Sequence, residues 1–168
     1  MKIRDDFVSN SSSSSFIVWM KSDENNKKPS IDAAKLLLDS VVQNNADNIV
    51  CIPNIMIGET QFGWEFVYYE GFGTKLNFCA IQCYDAIEEN KTVEDSTYWK
   101  QLMDALHHLF GDEFKFVFNY KSIYNYDSYI DHQSSSCEGQ NVEMFESVDK
   151  LIDFLISPSY IEGGNDNS

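Results

Sequence analysis

No stretch of the chain approaches the run of about 20 apolar residues needed to span a bilayer, and the opening MKIRDD lacks the apolar segment of a secretory signal. The expectation is a protein that stays where it is made, in the cytoplasm. Basic residues are scarce: 12 Lys and Arg face 27 Asp and Glu, a formal charge of −15 at pH 7. Binding to a nucleic acid backbone or an anionic membrane needs clustered Lys and Arg, so neither is expected as a direct partner. Several site signatures are missing too. There is no CxxC or HExxH pattern, no GxxxxGK[ST], no GxGxxG and no 12-residue calcium loop with its terminal Glu. No metal and no cofactor is expected, and no internal repeat points to a solenoid.

The shortage of bases is graded. Residues 1–45 carry six charges of each sign, residues 46–126 carry 12 acids and five bases, and residues 127–168 carry nine acids with Lys150 as the one base. A basic protein partner, or a cation, suits such a surface; solubility alone also accounts for it. Four cysteines, Cys51, Cys79, Cys83 and Cys137, in a chain without a secretory signal fit reduced thiols better than a disulfide framework.

Apolar residues are plentiful at 43 %, with 14 % aromatics, and 168 residues suit one domain with one core. Residues 16–21, FIVWMK, read as a buried strand. Ser30 stands as an N-cap before a helix in which Ala34, Leu37, Leu38 and Val41 share a face. Pro53 limits residues 48–57 to short strand pieces or an edge strand. Residues 61–70 alternate as one strand ending at Gly71 and Gly73, and residues 114–120 read as a central strand. Between them lie two helices. The first carries Leu76, Cys79, Ala80, Cys83 and Ile87 on one stripe with Thr74 as its cap, leaving Phe78 and Ile81 outside the stripe. The second opens at Ser96 or Thr97, buries Trp99, Leu102, Met103, Leu106 and Phe110, and closes at Gly111. A short strand at 142–145 precedes a last helix capped by Ser147, with Val148, Leu151, Ile152 and Leu155 inward and Ser157–Pro158 at its end. The fold class expected is α+β: a mixed, mainly antiparallel sheet packed with about four helices. It forms a single domain over 1–168 with a Ser-rich segment at 1–15 and a polar tail at 163–168.

That Ser-rich opening, Phe7-Val8-Ser9-Asn10 running through Ser11 to Ser15 into Phe16, resembles a group of small bacterial and phage proteins that begin with an SNSSSSSF segment. The resemblance covers about the first 18 residues, and less closely the tail around Ile161 to Asn167. It implies a prokaryotic or phage origin and carries no catalytic residue with it. The flanking Phe7, Val8 and Phe16 are apolar anchors that would pin the tract onto the fold.

Polar constellations are thin. In Asp131-His132-Gln133-Ser134, His132 and Ser134 would meet on a strand while Asp131 faces away, so no triad forms. Cys79 and Cys83 at i, i+4 offer two of the four ligands zinc needs, and a pair of core cysteines is the simpler reading. Gly71-Phe72-Gly73-Thr74-Lys75 has the makings of an anion cradle at a helix start, or of a plain strand-to-helix turn. Two readings stay open. One is a non-enzymatic protein that holds a protein partner through an acidic, tyrosine-rich surface, Tyr120, Tyr124, Tyr126, Asp127, Tyr129 and Asp131. The other is a small enzyme or binder for a phosphate-containing or nucleotide ligand, with Lys75, His132, Ser134 and Asp166 brought together. A concave site joining His132 to Lys75, Asp166 or Ser11 would favour the second.

Overall fold

In a computed structural model, the residues described are 14–19, 31–42, 47–52, 61–62, 67–85, 91–117, 129–130 and 143–165. In chain order they form β1 (Ser14–Trp19), α1 (Ile31–Val42), β2 (Ile49–Cys51), β3 (Gln61–Phe62), β4 (Val67–Tyr69), α2 (Phe72–Asp85), a 3-10 turn (Val93–Asp95), α3 (Thr97–Phe110), β5 (Lys115–Val117), β6 (Tyr129–Ile130), a second 3-10 turn (Glu143–Glu146), α4 (Val148–Ile156) and β7 (Tyr160–Asn165).

The sheet-centred architecture expected from sequence is overturned. The described residues are mostly helical, in four helices, and no mainly antiparallel sheet frames them. Among the described residues strand pairing is split among three small ladders: β1-β7-β4 antiparallel, and the parallel two-strand pairs β2-β5 and β3-β6. Among the described residues the helices carry most of the buried side chains, so helix-on-helix packing builds most of the described core. The described parts of residues 61–70 are β3 and β4, which belong to different ladders rather than to one strand. Residues 115–117 form β5, which pairs with β2 among the described residues, and residues 118–120 lie outside them. The strand expected at 142–145 is instead the 3-10 turn Glu143–Glu146, which buries Met144 and Phe145.

The helices are built as their sequences dictate. In α1, Ala34 and Leu38 are buried and Leu37 half-buried on one face. α3 starts after Ser96 and ends at Gly111, whose φ of 102° is a left-handed value that suits glycine and whose N–H bonds His107 O at 2.8 Å. In α4, Ser147 Oγ accepts the Lys150 N–H at 3.1 Å, satisfying one of the donors left free at a helix start. Phe72 meets Phe110 edge-on at 5.6 Å, so the start of α2 lies against the end of α3. Tyr98 stacks on Phe145 at 4.5 Å, tying the start of α3 to the turn before α4.

α2 sits in the middle. It packs against α1, α3 and α4, and every residue from 72 to 83 is buried. Phe78 and Ile81, outside the stripe read from sequence, are 0 % and 1 % exposed, because this helix has a neighbour on each side rather than one buried face. It begins at Phe72, so Thr74 lies inside the first turn and is not its cap.

Candidate functional site

The one buried charge among the described side chains is Lys75, on the first turn of α2. Its placement starts at Gly71, whose φ of 88° lets the chain leave β4 and enter the helix at once. The Lys75 N–H closes the first helical bond to Gly71 O at 3.1 Å. The Gly71-to-Lys75 segment is thus a strand-to-helix turn. The side chain crosses to the end of α4, where Nζ donates to Phe154 O at 2.6 Å and to Ser157 O at 2.7 Å, and lies 5.4 Å from the centre of the Phe154 ring.

This contact has a cause in the sequence. In a continuing helix the Phe154 carbonyl would receive the N–H of the residue four positions on, and that residue is Pro158, which has none. Ser157 N–H closes the last regular bond to Asp153 O at 2.8 Å. Ser159 N–H turns to Ser157 Oγ at 3.2 Å, and the two serine hydroxyls are themselves in contact. The Lys75 ammonium supplies the donor that proline lacks, at the negative end of the α4 dipole. Desolvation pulls its pKa down from 10.5 to about 8, against the opposing influence of Cys79, Asp153 and Glu70. Burial likewise pushes the Cys79 thiol far up, with the Lys75 charge working the other way.

Two further polar side chains are interred on α2. Asn77 and Gln82 are both 0 % exposed, and neither amide has a hydrogen-bond partner; Gln101 Oε1 on α3 is in the same position. An unpaired buried amide costs about 1–3 kcal/mol. Outside, the picture reverses. Every Asp and Glu whose side chain is described is exposed. Glu146 pairs with Lys150 at 2.6 Å, and Asp95 accepts from the Thr92 N–H at 2.9 Å, which holds its carboxyl below the usual range.

Of the residues singled out from sequence, Lys75 is buried on two carbonyls, and Tyr129 begins β6, pairing with Gln61. Tyr120, Tyr124, Tyr126, Asp127, Asp131, His132, Ser134 and Asp166 lie outside the described residues, as do Phe7 and Cys137. Cys79 and Cys83 are in the core, and among the described residues no three His, Cys, Asp or Glu side chains come together as metal ligands. Sequence reasoning missed the joint between α2 and α4. The signal for it was Pro158, four residues after a core Phe. None of the described helices is long and apolar enough to cross a membrane. Comparison with protein-family profiles, with curated proteins and with solved structures gave no match.

Proposed function

We propose that the chain is a non-enzymatic binding protein of prokaryotic or phage origin, acting in the cytoplasm on a protein partner whose surface is basic. The observation that carries this reading is the sorting of charge: every acid whose side chain is described faces solvent, while Lys75 is withdrawn into the interior and Lys150 is paired with Glu146. With Lys75 withdrawn, one base fewer faces solvent against the exposed acids, which leaves the described surface anionic. Such a field speeds encounter with a cationic partner and repels nucleic acid and anionic lipid. The composition of residues 119–136, tyrosines among Ser, Asn and Asp, supports the same reading, since tyrosine offers large contact area at low entropy cost.

The reading as an enzyme or binder for a phosphate-containing ligand has less support. It needs Lys75 facing a ligand, and both bonds recorded for that ammonium go to main-chain carbonyls. The test is affinity capture from a bacterial lysate with the wild-type chain and with the double variant Tyr124→Ala, Tyr126→Ala, read by mass spectrometry. The expected outcome is one abundant basic protein, retained by the wild type and bound more weakly by the variant by about 1–2 kcal/mol, with the melting temperature unchanged. Capture of acidic proteins, or equal binding by the variant, would contradict it.

A further inference from the structure

The corner at which α4 gives way to β7 is closed from outside its own segment. Ser157, Pro158 and Ser159 make the turn, Pro158 leaves the Phe154 carbonyl without its helical donor, and a lysine from α2 fills the gap. β7 then runs between β1 and β4 as the middle strand of the three-stranded ladder, and β4 leads straight into α2 through Glu70 and Gly71. One ammonium thus bridges the two places where the ladder joins the helices. Among the described residues no carboxylate is bonded to it; its partners there are two carbonyl dipoles and the face of Phe154.

We propose that Lys75 makes the α4–β7 corner a protonation-sensitive joint, which opens more often when Lys75 carries its proton and closes more firmly when the proton is lost. The closed joint holds the amine in an apolar interior, while the open joint returns it to water. An ammonium loses more by burial than a neutral amine does, and the neutral amine still has two N–H groups for the same two carbonyls. Opening therefore takes up a proton. The groups acting on the amine are Cys79 on α2, Asp153 on α4 and Glu70 at the entry to α2. Cys79 stays a neutral thiol because it is wholly buried, and Asp153 and Glu70 lie on the exposed side.

The closed value of about 8 against 10.5 in water fixes the size of the effect. The opening constant should fall roughly tenfold between about pH 6.5 and 9. Hydrogen exchange of the full chain, read by mass spectrometry on peptides covering residues 154–165 and corrected for intrinsic exchange, measures it. The expected result is that tenfold decline in the wild type, a flat profile for the α1 peptide, and no decline at the corner in Lys75→Met. A flat wild-type corner, an equal slope in α1, or an unchanged slope in Lys75→Met would each overturn the proposal. If the variant does not fold, a ¹³C titration of the lysine ε-carbons in the wild type decides. One resonance with its midpoint near 8, moving together with the Phe154 and Ser157 carbonyls, supports the joint; no lysine titrating below about 9.5 overturns it.

Discussion

Helices α2 and α4 touch, yet they solve opposite problems. α4 is two-sided: Leu151, Phe154, Leu155 and Ile156 are buried, while Asp149, Lys150 and Asp153 face water. α2 has no solvent side through residue 83, and it carries Lys75, Asn77 and Gln82 into the interior with its apolar residues. A helix with one apolar face announces itself by its period, and a helix enclosed on all sides does not. α4 is held by the contrast between its faces. α2 is held by its neighbours, and its polar residues must find partners among them or go without. Lys75 finds its partners at the C-terminal end of α4, on the carbonyls of Phe154 and Ser157.

The largest effect that would sharpen this contrast is at Phe78. If α2 is enclosed, Phe78→Ala costs about 3–5 kcal/mol in urea unfolding, as much as a residue on the stripe. A loss well under 1 kcal/mol would show that this side of α2 faces water. Next comes the pH dependence of stability. The folded chain releases the Lys75 proton near pH 8, whereas the unfolded chain holds it to about 10.5, so between these values the unfolded state binds more protons. The contribution of Lys75 to stability therefore rises with pH across that window, by about 3 kcal/mol in all, and the full penalty of burying the charge applies below it. The urea midpoint of the wild type relative to Lys75→Met, followed from about pH 7.5 to 10, reads this directly. A constant difference would mean the ammonium is not desolvated.

Smaller effects separate the two helices further. Replacing the unpaired amides by apolar groups of similar size, Asn77→Leu and Gln82→Met, should stabilise the protein by about 1–2 kcal/mol each, since the groups removed have no bonds to lose. A loss of stability in both variants would show that the amides are bonded after all. On α4, Ser147→Ala removes a cap and should cost about 1 kcal/mol in the same assay. An unchanged midpoint would place the start of α4 elsewhere.

The contrast also explains what could be read from sequence. α1, α3 and α4 were legible because each has an apolar stripe between polar faces, with Ser96, Gly111, Ser147 and Pro158 marking their ends. α2 was half legible: Leu76, Cys79, Ala80 and Cys83 of its stripe are buried and Ile87 lies outside the described residues, but Phe78 and Ile81 lay outside the stripe because their partners come from elsewhere in the chain. The strands misled. Alternating aromatics at 61–70 and 114–120 suggested members of one sheet, whereas their described parts, β3, β4 and β5, fall in separate ladders. Which strand pairs with which is settled by contacts between distant segments, and local pattern carries little of that information. At the candidate site, Lys75 was noticed for its charge, and its true neighbours lie about eighty residues away.

The central claim, that the outward-facing acids serve to hold a basic protein, is tested most directly by the dissociation constant of the captured partner as a function of salt. Electrostatic attraction between exposed charges is screened within about 10 Å at 0.1 M salt and within about 3 Å at 1 M. The account predicts that affinity falls at least about tenfold between roughly 0.05 M and 0.5 M sodium chloride, with most of the loss in the association rate. An affinity that holds steady across that range would contradict it, because the anionic surface would then have no part in recognition.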